Sequence, residues 1–121
     1  MSNEIMVITT RGRKTGKLYS TPIGYLRDGD SILALSQFGA SNWFKNVIHD
    51  STAELIIKGR QMRVRAELVR SPEERQRIFN LYCQERQENF PRLFGVKVDA
   101  SQEDLAKALE MRQFVRFRPL P

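Results

Sequence analysis

Thr9–Pro22 reads TTRGRKTGKLYSTP, and the fold depends on how this stretch is taken. It gathers four cations, Arg11, Arg13, Lys14 and Lys17, about two glycines, with hydroxyl side chains on both sides. The flanks are strand-like: Ile5, Met6, Val7 and Ile8 before it, and Ile23, Tyr25 and Leu26 after Pro22. A turn rich in glycine and hydroxyl groups can aim several backbone N–H groups at one anion. Arginine adds a planar fork that matches phosphate. The stretch is therefore a turn between two strands, either a solvated basic hairpin or a binding turn for a phosphate or carboxylate. The motif alone does not choose between them.

Outward from this turn the pattern stays mostly β. Glu4–Thr10 has few polar interruptions and is expected to be a strand buried on both faces. Leu18–Arg27 alternates as one strand, with Tyr19, Thr21, Ile23 and Tyr25 on one face. Pro22 has no N–H to pair, so it belongs at a sheet edge or a bulge. Asp28-Gly29-Asp30 turns the chain into a third strand, Ser31–Ser36.

Gln37–Asp50 changes period. Gly39 punctuates it, Ser41 or Asn42 caps a short helix, Trp43, Phe44, Val47 and Ile48 share its spacing, and His49 ends it. Thr52–Lys58 and Gln61–Val69 return to alternation, the latter with Met62, Val64, Ala66 and Leu68 on one face and Arg63 and Arg65 opposite. Ser71-Pro72-Glu73-Glu74 opens a helix that runs to about Gln87, with Ser71 as N-cap and Glu74 closing a capping box. Asn89–Ala100 is a connector broken by Pro91 and Gly95. Ser101 with Asp104 starts another short helix, and Arg112–Arg118 forms the last strand. Long helices do not alternate with the strands, which excludes a parallel α/β sheet. The expected fold is mainly β (α+β): a single domain over residues 1–121, a barrel of about six mostly antiparallel strands with two or three peripheral helices.

Composition narrows the function. Of 121 residues, 40% are apolar and 28% charged, which suits a folded globular chain. The net charge of +6 points to an anionic partner: nucleic acid, acidic lipid or a phosphorylated small molecule. No apolar run approaches the roughly 20 residues of a transmembrane helix, and no signal peptide is visible, so a cytoplasmic protein is expected. His49 is the only histidine and Cys83 the only cysteine, which leaves no multi-histidine or cysteine-based metal site and no internal disulfide. His49 suits a helix C-terminus, and Cys83 suits a packed helix face. Trp43 is either a core anchor or a wall for a planar ligand. A small basic barrel could also bind single-stranded nucleic acid, which would need exposed aromatics such as Tyr19 and Tyr25 beside the basic stripe.

The ordered series ITTRGRKTGKLYSTPIGYLRDGDSILALS, glycine, NWFKN and TAELIIKG resembles the deazaflavin-dependent nitroreductase family, and the closing QFVRFRP is similar to its last strand. The likeness covers about Ile8 to Glu74. It implies a split β-barrel related to the FMN-binding pyridoxamine-phosphate-oxidase folds, and coenzyme F-420, a deazaflavin with a phosphate and a polyglutamate tail, as cofactor. By this resemblance Arg13, Lys14 and Thr15 match the phosphate-holding positions. Ser36, Gln37 and Gly39 fall in the loop beside the deazaflavin ring, and Trp43 and Asn46 on the helix that closes over it.

The implied chemistry is hydride transfer between the deazaflavin and a small electrophilic substrate such as a quinone, enone or nitro compound, with no side-chain nucleophile required. FMN on the same barrel is the alternative cofactor. A homodimer is plausible, because a split barrel leaves apolar strand faces for a second copy. Three departures stand out. Gln37 replaces a lysine and Phe38 a glycine common in the family, an N-terminal helix common in the family is not evident, and the substrate-pocket tyrosines have only Tyr82, Phe90 and Phe94 as loose counterparts.

Overall fold

The computed structural model describes residues 4–121. Seven strands build one sheet: β1 (Ile5–Arg11), β2 (Leu18–Gly24), β3 (Leu26–Asp28), β4 (Ser31–Gln37), β5 (Thr52–Ile57), β6 (Arg60–Leu68) and β7 (Arg112–Pro119). Their order across the sheet is β2-β1-β5-β6-β7-β4-β3, and every neighbouring pair is antiparallel. Among the described residues four helices join them: α1 (Asn42–His49), α2 (Pro72–Glu85), α3 (Phe90–Phe94) and α4 (Gln102–Glu110). The architecture is a split barrel, mainly β.

The bend at Tyr25 explains why seven strands stand where six are expected. Leu18–Arg27 does not run as one strand. The Tyr25 N–H donates to the Glu4 carbonyl at 3.1 Å, and the ring turns into the core. The first half of the run pairs with β1 at one edge of the sheet, and the second half pairs with β4 at the other. The barrel thus closes through covalent continuity at this corner. Beyond it, β2 and the end of β4 have no ladder between them, which leaves a notch. Pro22 lies in β2, an edge strand, where its missing N–H costs no ladder bond.

Two apolar clusters lie on opposite faces of the sheet. Inside, Met6, Ile8, Leu55, Val64 and Phe117 meet Trp43, Phe44 and Val47 of α1. Outside, Leu33 and Phe114 pack under α2, α3 and α4, against Ile78, Phe79, Tyr82, Phe90 and Phe94. β4 serves both, with Ile32 and Ala34 in the first cluster and Leu33 in the second. β1 does not, contrary to its sequence: Met6, Ile8 and Thr10 are buried, but Ile5 is 54% exposed, because the helices cover only the other half of the outer face.

Two local expectations need correction. Ser71 caps α2, accepting from the Glu74 N–H at 3.3 Å, but the reciprocal half of the capping box is absent. The Glu74 carboxylate instead binds Arg77 and Arg116, and the Ser71 hydroxyl donates to Glu73. The Asn89–Ala100 connector contains α3, entered through Pro91 and closed by Gly95 at φ 75°. Its Phe90 and Phe94, with Tyr82, are buried in the outer cluster, so none of the three offers an exposed ring as a substrate wall. No helix among the described residues is long and apolar enough to cross a membrane.

Candidate functional site

The basic turn is built from its own backbone. The Gly12 N–H donates to the Lys17 carbonyl at 2.7 Å, the Gly16 N–H to the Gly12 carbonyl at 2.9 Å, and Gly16 holds φ 76°. Arg11 Nη1 closes the turn on the Gly16 carbonyl at 2.8 Å. Gly12 lets Tyr19 lie close: a Cβ there would meet the Tyr19 ring at 2.6 Å, and the ring would have to move. The Tyr19 hydroxyl shares a hydrogen bond with Thr15 Oγ1 at 3.1 Å, which also accepts from the Lys17 N–H.

Asn46 fastens this turn to α1. Its Oδ1 accepts from Arg13 Nη1 at 2.8 Å and from the Arg13 N–H at 3.3 Å, and its Nδ2 donates to Thr10 Oγ1 at 3.0 Å. The amide is 3% exposed, so its polar atoms are spent on positioning rather than offered outward. The backbone N–H groups of Lys14 and Thr15 make no hydrogen bond among the described residues.

Between turn and helix lies a cavity of about 520 Å³. Arg13, Lys14 and Thr15 line one side, Asn46 and Trp43 another, and Tyr19 and Thr21 of β2 a third. No carboxylate lines it, and none of Arg11, Arg13, Lys14 or Lys17 forms a salt bridge among the described residues. The start of α1 adds to the positive field. Ser41 stands at the N-cap without capping, because its hydroxyl is bonded to Ser36 Oγ at 2.8 Å. The first N–H groups of the helix are thus left beside the cavity, which Ser41 and Asn42 also line. Trp43 is both core and wall: it is buried edge-to-face against Phe44, yet borders the cavity.

Five of the eight sequence-predicted residues, Arg13, Lys14, Thr15, Trp43 and Asn46, therefore meet at one cavity. Ser36 sits behind it, buried and tied to Ser41. Gln37 and Gly39 do not join. Gln37 faces the other side of β4, donating to the Arg92 carbonyl at 3.3 Å, and Gly39 packs against Phe44 and Gln113. Phe38 precedes it at φ 62°, the left-handed conformation to which the family's glycine is suited. The other lining residues, Thr10, Gly12, Tyr19, Thr21, Ser41 and Asn42, were not among the eight. The register Thr10↔Tyr19 and the alternation of Thr21 with Ile23 carried that signal.

Tyr19 is half exposed and Tyr25 buried, so the pair do not form an aromatic platform on one strand face. His49 is exposed at the last turn of α1, as its position suggested. Cys83 is half-buried against the outer cluster, and burial raises its thiol pKa. No group of three or more metal-ligating side chains occurs among the described residues.

Solved structures share this fold. A Listeria innocua protein named for pyridoxamine 5′-phosphate oxidase aligns with a TM-score of 0.66 at 12% identity, over 98% of this chain and 85% of its own. A Mesorhizobium loti FAD-binding protein aligns at 0.65 and 12%, over 99% and 83%. A Bacteroides thetaiotaomicron protein named for 5-nitroimidazole antibiotic resistance aligns at 0.70 and 9%, over 99% and 75%. No curated protein matches by sequence. The profile of the F-420H2-dependent quinone reductases matches residues 1–99, most of the sequence, and the chain belongs to that family.

Proposed function

We propose that the chain is an oxidoreductase that binds coenzyme F-420 in the cavity between the basic turn and α1 and reduces a small electrophile such as a quinone. The observation that carries this reading is the cavity's one-signed lining: Arg13, Lys14 and an uncapped helix start, with no carboxylate, beside the Trp43 ring. A phosphate fits the cationic side, and a flat ring fits the aromatic and hydroxyl side. When bound, the deazaflavin supplies the hydride chemistry.

The protein's own residues do the rest. Lys14 and the free N–H groups of the turn bind the anion, and Thr15 orients it. Asn46 holds Arg13 in place, Ser36 and Ser41 brace the α1 entrance, and Trp43 limits water on one side. The whole chain acts as one cofactor-binding domain, working in the cytoplasm. A second copy covers the outer face of β1, β2 and β5, where Ile5, Leu18 and Ile56 are exposed. FMN is the second reading, because its phosphate would meet the same cations and a structural neighbour is an FAD-binding protein.

Titration of oxidised F-420 and of FMN, followed by ligand fluorescence, tests this. F-420 is expected to bind in the micromolar range or tighter, and Lys14→Ala to weaken it about 10- to 100-fold, the worth of one charge-assisted hydrogen bond. FMN binding tighter than F-420 would shift the reading to the flavin. If neither ligand bound below about 1 mM, roughly 4 kcal/mol, the proposal would fail.

A further inference from the structure

Past the first cavity, on the outer side of the notch, lies a second one of about 450 Å³. Both border β2, which gives Tyr19 and Thr21 to the first and Pro22 and Ile23 to the second. Ile23, Leu35 and Leu93 form apolar walls here. Gln37 lines the cavity as well, and its bond to the Arg92 carbonyl ties the end of β4 to α3.

Tyr82 is what makes this more than a crevice. Its side chain is 4% exposed and held by Phe114 (ring centroids 5.8 Å apart, stacked) and Phe94 (5.7 Å, edge-on). Yet its hydroxyl makes no hydrogen bond among the described residues, and it borders the cavity. No buried side-chain polar atom lacks a partner among the described residues, so this hydroxyl is open to the cavity and free to bond what enters it.

Arg86 and Arg92 flank it. Arg86 spends two N–H groups on the carbonyls of Glu85 and Tyr25, at 3.0 and 2.9 Å, which fixes the guanidinium without neutralising it. Among the described residues neither arginine forms a salt bridge. Glu4 is the one carboxylate among the described residues at this cavity, and burial first and Glu4 second raise the Tyr25 hydroxyl pKa. Two guanidinium groups against one carboxylate leave the lining net positive, one hydroxyl faces the cavity, and the walls are apolar.

The geometry points to this notch cavity as the seat of a flat organic acid. Its carboxylate would meet Arg86 and Arg92, its ring would lie against Ile23, Leu35 and Leu93, and a polar atom would accept from the Tyr82 hydroxyl. This deepens the functional reading and rests on it for one point only: as substrate of that reading the acid would be a carboxylate-bearing enone or quinone, which would take a hydride from the reduced cofactor and a proton from solvent. Binding of the acid itself needs no cofactor.

Naphthalene-2-carboxylate and its neutral carboxamide, titrated into the cofactor-free protein by probe fluorescence, test the site. The carboxylate is expected to bind at least tenfold more tightly than the amide. Arg92→Gln, at an exposed position, should weaken the acid about tenfold and leave the amide unchanged. Tyr82→Phe, which keeps the ring packing, should weaken the acid severalfold with thermal unfolding little altered. Equal affinity for acid and amide, or an Arg92→Gln variant that binds the acid like the native protein, would overturn the assignment. The same variants titrated with F-420 separate the two readings. Arg92→Gln that keeps F-420 and loses the acid supports the notch site, and loss of both overturns it. Native protein that binds the acid but not F-420 removes the redox role and leaves the acid site standing.

Discussion

Asn46 shows how much one buried amide carries. It is the joint between the basic turn and α1, and both ends of its side chain are used, by Arg13 and by Thr10. Asn46→Ala strands the buried Thr10 hydroxyl and frees the Arg13 guanidinium, so a loss of about 2 kcal/mol in urea unfolding is expected. Anion affinity should fall with it, because Arg13 then loses its orientation. An unchanged unfolding midpoint would show that these bonds add nothing net. Residues of this kind were legible in the sequence because they sit on local features, a glycine-punctuated turn and a helix stripe. Gln37 was not. It lies one position from Ser36, and in a strand that single step moves a side chain to the other face. Only the pairing of β4 with β7, a contact distant in sequence, decides which face each takes. Phe38 illustrates the converse: the sequence shows an aromatic where the resemblance expects glycine, while the backbone there is left-handed, as glycine favours.

At the scale of elements, the short helix was readable from its period, but its entrance was not. Ser41 looked like a cap by position. Its hydroxyl is instead committed to Ser36, which is 2% exposed, so the pair behaves as a unit. Either single change, Ser36→Ala or Ser41→Ala, is expected to cost about 1 kcal/mol by leaving its partner unsatisfied. The double variant should cost little more than one of them. A double-mutant cycle by thermal unfolding measures this directly, and strict additivity would mean that the hydroxyls are not coupled. Strand alternation likewise gave β6 its inward residues, yet it carried Leu18–Arg27 straight through the corner at Tyr25. Alternation continues across that bend, so nothing local marks it. The Tyr25 N–H bond to Glu4 and the separate partners of β2 and β3 belong to the assembled sheet. The notch, and with it the second cavity, was invisible for the same reason.

Across the whole molecule, one ionic cluster ties the sheet to the outer helices. Arg116 of β7, 7% exposed, reaches Asp28 at 2.8 Å, Ser31 at 2.6 Å and Glu74 of α2 at 3.0 Å, and Arg77 of α2 reaches the same Asp28 at 2.6 Å. These bonds join the turn of the β3–β4 hairpin to β7 and α2, so they report on the assembled fold rather than on one element. The Asp28 carboxyl is held down to about 2 from its ordinary 3.8, first by the hydrogen bond from Arg77 and then by that from Arg116, against the cost of its burial. A depressed folded pKa means that the unfolded chain takes up the proton first. The stabilisation is therefore fully present above about pH 4 and is lost as pH falls toward about 2, and it amounts to about 2 kcal/mol. Asp28→Asn should do two things. At neutral pH it leaves the buried Arg116 with one fewer counter-charge and lowers stability by a few kcal/mol. Between pH 4 and 2 it should flatten the fall in stability that the native protein shows, although Glu74, also lowered, first by its bond from Arg77, keeps part of the slope. Urea unfolding across that range reads both effects. A variant that loses stability at neutral pH yet keeps the full native slope would locate the acid sensitivity in Glu74 and its neighbours, and Asp28 would then be a packing residue that happens to be charged.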